Sequence, residues 1–205
     1  MQFQRLGMVE FVPTLESMKA FTATRTSETD DEIWLLQHPP VYTQGLSGKA
    51  EHVLDAGDIP IINIDRGGQV TYHGPGQWVA YILYDLRRAG MNVRELVERL
   101  EMAVINLLAD CGIAARGDPA ARGVYVQGRK IAALGLKVSR GRSYHGLSLN
   151  VDMDLTPFSG INPCGYEGLE VTSVARELGV NQVLDTFDLG EQLLVHLEQA
   201  LSPKA

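Results

Sequence analysis

The chain has 205 residues, 45% of them apolar and 21% charged, and a formal net charge of −7. A chain of that length builds one substantial core, so a single domain over 1–205 is expected, and the acidic balance argues against sequence-independent attraction to a nucleic-acid backbone. No apolar run approaches a membrane span and no basic segment leads into an apolar one at the start, so the expected location is the cytoplasm, away from the membrane.

In chain order, Thr14 to about Thr26 reads as a helix after Pro13, with Leu15, Met18 and Phe21 on one face and Thr14 as N-cap. Glu32–Gln37 is a short apolar and aromatic strand that His38-Pro39-Pro40 ends, because proline cannot donate to a ladder. Ile59–Ile64 and Trp78–Leu86 are two further strand candidates. The clearest helix runs from an Asn92 cap, with Glu95 at capping-box spacing, to Cys111, carrying Val93, Val97, Leu100, Val104, Leu107 and Leu108 before Gly112 stops it. Three strands follow at Gly123–Val126, Lys130–Ser139 and Ser143–Asp152, separated by Gln127-Gly128-Arg129 and Arg140-Gly141-Arg142, and read as an antiparallel meander. A helix from about Leu189 to Leu201 closes the chain. Strands and helices do not alternate strictly, which favours an α+β fold with a mixed, largely antiparallel sheet flanked by helices.

Two segments carry chemistry. Cys164 lies in Gly160-Ile161-Asn162-Pro163-Cys164-Gly165-Tyr166-Glu167-Gly168, between a proline and a glycine and without apolar periodicity, the setting of a reactive thiol. Cys111, the other cysteine, extends the apolar face of its helix and reads as core. Such unlike surroundings argue against a disulfide, and two cysteines with five histidines show none of the short paired spacings of a zinc site. The second segment is Arg66-Gly67-Gly68-Gln69-Val70-Thr71-Tyr72-His73-Gly74-Pro75-Gly76-Gln77. Its four glycines let backbone approach a ligand, while Arg66, Tyr72, His73 and Gln77 offer directional polar groups. The alternative is a long turn between strands; the spacing matches neither a P-loop nor a dinucleotide fingerprint.

These segments, together with His38-Pro39-Pro40-Val41-Tyr42-Thr43 and Gly45, Gly128-Arg129-Lys130-Ile131-Ala132-Ala133-Leu134-Gly135, His145-Gly146-Leu147-Ser148-Leu149-Asn150 and Asn162-Pro163-Cys164-Gly165, resemble in order and spacing the lipoyl(octanoyl) transferases. The resemblance implies a biotin/lipoate ligase-like fold. It also implies an acyltransferase of lipoate biosynthesis that moves an octanoyl or lipoyl group from acyl carrier protein to a lysine ε-amine. The acceptors implied are the lipoyl domains of 2-oxoacid dehydrogenase E2 subunits and the glycine cleavage H protein. Cys164 would hold the acyl group as a thioester, with Lys130 favouring its thiolate and handling protons. Taken alone, Lys130 beside a turn reads as a solvated hairpin residue. Acyl-substrate contacts are implied for Arg66, Gly67, Gly68, Gln69, Val70, Thr71, Tyr72 and His73, for Ala133, Leu134 and Gly135, and for Gly146, Leu147 and Ser148. Thioester exchange is nearly isoenergetic, so no ATP, metal or other cofactor is implied.

Three other readings stay open on sequence. An ATP-dependent lipoate or biotin ligase shares the fold but gives Cys164 no role. A non-catalytic acyl-binding or carrier-binding module would survive alkylation of Cys164. A cysteine hydrolase would have to admit water. Arg87, Arg88, Arg129, Arg140 and Arg142 are candidates to receive an acidic carrier protein, against a plain reading as solvated surface. His73 either touches substrate or braces its loop; His145 orients its segment; His38, His52 and His196 read as structural or exposed.

Overall fold

Apolar residues on both faces of the central strands require cover on both sides of the sheet, and the chain supplies it from two different sources. The computed structural model describes residues 1–179 and 184–202. Strand β1 (Gln2–Met8) is almost wholly exposed, and helix α1 (Phe11–Thr24) connects it to β2 (Glu32–Gln37), with which it pairs in parallel. Three short strands follow, β3 (Val41–Gln44), β4 (Ile61–Asn63) and β5 (Val70–His73), and then β6 (Gln77–Leu83). After helix α2 (Val93–Asp110) come β7 (Arg116–Gly117), β8 (Val124–Val126), β9 (Arg129–Ser139) and β10 (Arg142–Asn150), then α3 (Val174–Leu178) and α4 (Thr186–Leu201).

Seven strands form one sheet in the order β1-β2-β6-β10-β9-β8-β7, antiparallel except for β1 with β2. A three-stranded sheet, β4-β3-β5, has one parallel pair. The mixed, largely antiparallel expectation holds. Helices α2 and α4 cover one face of the large sheet through Leu96, Leu100, Val104, Leu107, Leu193 and Leu197. On the opposite face α1 packs Phe11, Leu15 and Met18 against Trp34, Leu36, Val79 and Tyr81. The small sheet has its own core of Tyr42, Val70, Tyr72, Phe158 and Ile161.

The α2 cap, the antiparallel meander and the terminal helix lie where the local sequence put them. Asn92 accepts from the Glu95 N–H, and Gly112 takes φ +75° just past the helix end. Elsewhere the boundaries move. Helix α1 starts at Phe11, with Pro13 inside the first turn, where no backbone donor is needed. Thr14 is therefore inside the helix and its hydroxyl donates back to the Glu10 carbonyl instead of capping. The Ile59–Ile64 run shortens to Ile61–Asn63, the Trp78–Leu86 run becomes Gln77–Leu83, and the glycine-rich segment contains strand β5. Strands β1, β3 and β7 and helix α3 were not anticipated: β1 has no buried alternation, and the others are too short for a period to show. Cys111 is half-buried at the α2 C-cap, touching the core without belonging to it. Among the described residues no helix is long and apolar enough to cross a membrane.

Replacing Asn92 with alanine removes the α2 cap bond at an exposed site and should lower unfolding free energy by about 1 kcal/mol in chemical denaturation; an unchanged midpoint would show that the cap contributes nothing.

Candidate active site

The β9–β10 ladder divides its side chains by size. Registers Ser148 with Ala133 and Gly146 with Gly135 place four small residues on the face toward the small sheet. Leu134, Leu136, Leu147 and Leu149 point instead into the helix-covered core. Small residues on one face leave space there, and a cavity of about 280 Å³ lies between the two sheets. Its inner walls are Phe11, Ile64, Val79, Tyr81 and His145, and its mouth is bordered by Gln69, Ala121, Arg122, Cys164 and Tyr166.

Cys164 reaches that mouth through an uncommon backbone. Pro163–Gly165 form one tight turn in which Cys164 takes φ +57° and Gly165 φ +79°. Left-handed backbone costs a non-glycine residue about 1 kcal/mol or more, and neighbouring bonds hold it: Asn162 N–H to the His52 carbonyl at 2.8 Å and Gly165 N–H to the Asn162 carbonyl at 2.9 Å.

Lys130 meets Cys164 because of a β-bulge. The β8–β9 register shifts between Val124 and Tyr125, pairing Val124 with Ala132 and Tyr125 with Lys130, so Ile131 is an extra residue. Ile131 and Ala132 both face the helix-covered core, which turns Lys130 to the cavity side, the re-aiming that bulges accomplish beside functional sites. Lys130 is 3% exposed, and its Nζ donates to Cys164 Sγ at 2.9 Å and to the Arg122 carbonyl at 3.1 Å, with the Tyr125 ring centroid 5.2 Å away. Burial pushes the ammonium pKa down, but Cys164 and Tyr125 more than offset it, so the net shift is upward and the group stays charged.

Of the residues expected to touch an acyl group, Arg66, Gly68, Gln69, Val70, Thr71, His73, Ala133, Leu134, Gly135, Gly146, Leu147 and Ser148 line the cavity with Cys164. Leu134 and Leu147 do so while their side chains serve the core. Gly67 and Tyr72 are not on the lining. Gly67 donates its N–H to Leu136 on β9, and Tyr72 points to the opposite face of its strand, against Tyr42 and Phe158. Thr71 and Ser148 also border the small space behind Cys164, and their hydroxyls have no hydrogen-bond partner among the described residues. Phe11, Ile64, Val79, Tyr81, Ala121 and Tyr166 were missed, since no local pattern distinguishes a cavity wall from a core face.

Arg66 is buried without a carboxylate partner among the described residues. Its Nη1 donates to Gly67 O, and its Nη2 to Thr43 O and Oγ1. Burial lowers its pKa to about 10 while Cys164 and Tyr81 oppose, so it keeps its charge. Gly135 makes room for it: a Cβ there would lie 2.9 Å from Arg66 Cδ.

His38, His73 and His145 are held in place and neutral. Both amide hydrogens of Gln77 are committed, to Tyr72 O and Asn150 Oδ1, so Gln77 Oε1 must accept from His73 Nδ1 at 2.7 Å. His73 therefore both lines the cavity and braces the loop. Burial and neighbouring His38 lower its pKa to about 3. His145, with φ +59°, sits 3.1 Å from Asp65, yet burial lowers it to about 4. His38 is fully buried between Val9 O and Tyr81 Oη, His52 is partly buried beside the Cys164 turn, and His196 pairs with Asp110. The carrier-docking arginines are largely engaged elsewhere: Arg88 with Asp31, Arg129 with Glu177, Arg142 with Asp85. Arg87 and Arg140 lie by the β9–β10 turn, nine β9 residues beyond Lys130 and so roughly 30 Å from the mouth.

The model of the lipoyl protein ligase A/B catalytic domain matches residues 14–198. The chain belongs to this family. It is 57% identical to the octanoyltransferase of Chromobacterium violaceum over 199 residues, covering 97% of this chain and 95% of the relative. It is 58% identical to that of Nitrosomonas europaea over 197 residues, covering 96% and 93%. It is accordingly an enzyme, an acyltransferase that transfers octanoyl groups in lipoate biosynthesis. Among solved structures, lipoate-protein ligase A bound with ATP superimposes with a TM-score of 0.78 at 17% identity, covering 98% of this chain and 85% of the other. A bipartite lipoate protein ligase of Thermoplasma acidophilum, described with its E2 lipoyl domain, gives 0.73 at 18%, with coverage of 98% and 84%. The biotin protein ligase of Aquifex aeolicus gives 0.58 at 12%, with 98% and 69%. At these identities the likeness is of fold alone, and it confirms the biotin/lipoate ligase-like architecture.

Because His73 and His145 have folded-state pKa values of about 3 and about 4, the unfolded chain binds protons that the native one refuses below about pH 6.5. Their contribution is complete above that value and is lost as pH falls toward 3. The unfolding free energy from chemical denaturation should therefore decline steadily from pH 6.5 to 4, by on the order of a few kcal/mol, and His145→Asn should flatten the decline; a profile flat to pH 4 would contradict the burial account.

Proposed function

We propose that residues 1–205 act as one catalytic domain, in the cytoplasm, that takes an octanoyl group from acyl carrier protein onto Cys164 and passes it to a lysine of a lipoyl domain. One observation carries the reading: a buried ammonium lies 2.9 Å from the only thiol at the mouth of a narrow, largely apolar cavity. An ammonium so placed favours the thiolate, the nucleophilic form. Burying the chain's methylenes contributes about 0.8 kcal/mol each, so the enclosed inner walls select for length. Acyl carrier protein as donor is the choice that fits an enzyme needing no activation of a free acid. Lipoyl domains as acceptors, those of E2 subunits and the glycine cleavage H protein, fit a family that shares its fold with a ligase described together with such a domain.

The steps balance without a cofactor. The Cys164 thiolate attacks the donor thioester carbonyl, and as the tetrahedral intermediate collapses the carrier's thiolate leaves and takes a proton from Lys130. Lys130 is then a neutral amine beside an octanoyl-thioester. The acceptor amine attacks the new carbonyl, Lys130 accepts the proton released from the attacking nitrogen, and Cys164 departs as thiolate, restoring the ion pair. Developing negative charge on the carbonyl oxygen needs donors, and the free hydroxyls of Thr71 and Ser148, bordering both spaces at Cys164, are suitably placed to give them.

Mixing the enzyme with octanoyl-acyl carrier protein without ATP should add one octanoyl mass on Cys164, which disappears as an apo lipoyl domain gains it. Cys164→Ser should lose transfer at least a thousandfold while keeping the fold. Acylation of the domain only when free acid and ATP are supplied would make the protein a ligase instead. The double variant Thr71→Val with Ser148→Ala should lower kcat by about 10- to 100-fold with little change in KM; an unaltered kcat would remove both hydroxyls from the mechanism.

A further inference from the structure

Helix α2 turns Leu96, Leu100, Val104 and Leu107 to the sheet, and a carboxylate lies within that apolar stripe: Glu101 is 6% exposed. A carboxylate is held in such a place only when its oxygens are hydrogen-bonded. Glu101 Oε1 accepts from the Gly123 N–H at 2.9 Å, and Oε2 accepts from Arg122 Nη1 at 3.2 Å. The Gly123 N–H and the Arg122 carbonyl belong to one peptide unit, and no peptide bond among the described residues is cis. In a trans peptide the two dipoles point in opposite directions, so fixing the N–H on Glu101 aims the carbonyl the other way. That carbonyl accepts from Lys130 Nζ at 3.1 Å. Glycine is needed at the relay, since at φ +145° a Cβ on Gly123 would lie 2.9 Å from Lys130 Cε and 2.8 Å from the Ala132 carbonyl oxygen. A hydrogen bond from N–H to a carboxylate also polarises the carbonyl of the same peptide, strengthening it as an acceptor for an ammonium.

We infer that Glu101 is a positioning residue for acyl transfer, acting through the Arg122–Gly123 peptide to hold the Lys130 ammonium against Cys164. The inference rests on the Lys130–Cys164 chemistry proposed above. Lys130 has one short carbonyl contact and one thiol contact; without the first, its long side chain is free to leave the second.

The test uses the full-length enzyme with Glu101→Leu, Glu101→Asp and Glu101→Gln, and Lys130→Ala as reference. Cys164 alkylation by iodoacetamide from pH 6 to 9, kcat and KM for transfer, and thermal midpoint are measured. Glu101→Leu should slow alkylation at pH 7 and lower kcat by about tenfold, with KM within about twofold and the alkylation profile displaced to higher pH. Glu101→Asp, one methylene shorter, retracts the acceptor while keeping the charge and should move the same way, which decides the matter if the leucine variant does not fold. Glu101→Gln keeps an oxygen for the Gly123 N–H and should recover most of the activity. A lower thermal midpoint with wild-type alkylation and kcat in the leucine or aspartate variant would overturn the inference, leaving Glu101 structural. If Lys130→Ala slows alkylation and Glu101 variants do not, only the positioning role fails. If Lys130→Ala itself leaves alkylation and kcat unchanged, the lysine chemistry fails and the inference with it.

Discussion

A lysine ammonium that is 3% exposed must be compensated by what surrounds it, and at Lys130 the surroundings are a thiol sulfur, one carbonyl and an aromatic face. No carboxylate contacts it among the described residues, and in the proposed mechanism Cys164, 2.9 Å away, is its counter-ion. Ion pairing in a site largely closed to water is strong where a surface pair would be weak. The requirement reaches outward through the fold. The bulge at Ile131 is needed to turn the lysine, and the left-handed turn at Cys164 to present the thiol. The glycine at 123 is needed to let the loop close over both.

The cavity has a different origin from the thiol, and the two meet only in the assembled molecule. It follows from alternation in β9 and β10, where one face carries leucines for the helix-covered core and the other carries glycine, alanine and serine. A small residue opposite a small residue leaves an interval that the three-stranded sheet roofs without filling. Gly146 is constrained from behind as well, since a Cβ would collide with the Ala80 carbonyl. Glycine at that position is therefore required by the close approach of β6. A buried polar chain, His73 to Gln77 to Asn150 to the Thr172 carbonyl, ties the roof to the large sheet and to the segment beside Lys130. Full satisfaction of such a chain gives the rigidity that a narrow binding site requires.

The fold shared with a lipoate-protein ligase bound with ATP does not by itself decide the chemistry, which rests on the site. In the proposed mechanism a thiol takes the place of an activated phosphate ester, and the lysine handles protons between two thioester steps. Arg66, buried and charged without a carboxylate partner among the described residues, makes one cavity wall positive near the Cys164 sulfur. Neutral His73 and His145 add hydrogen-bonding rigidity to the inner end without adding charge, which suits an apolar guest.

Much of this was legible along the chain where the physics is local. The Asn92 cap, the α2 stripe, the meander turns at Gly128 and Gly141, and the non-periodic Pro-Cys-Gly setting of Cys164 depend on residues within a few positions of one another, so the amino-acid sequence alone determined them. The glycine-rich and Pro-Cys-Gly motifs likewise marked segments that border the cavity. What only tertiary structure decided depends on distant partners. Lys130, which by itself reads as a hairpin residue, becomes a buried ammonium because a bulge reverses its face and a turn 34 residues later brings a sulfur to it. Thr14 lost its capping role because packing of Phe11 extended the helix across Pro13. Glu101 looks like one more charge on an amphipathic helix until a loop from 21 residues onward closes on it. Local patterning marks an element where its period is long enough to show; its exact ends, and which side chains meet, depend on strand register and on how two sheets stack, and neither can be computed from neighbours in the chain.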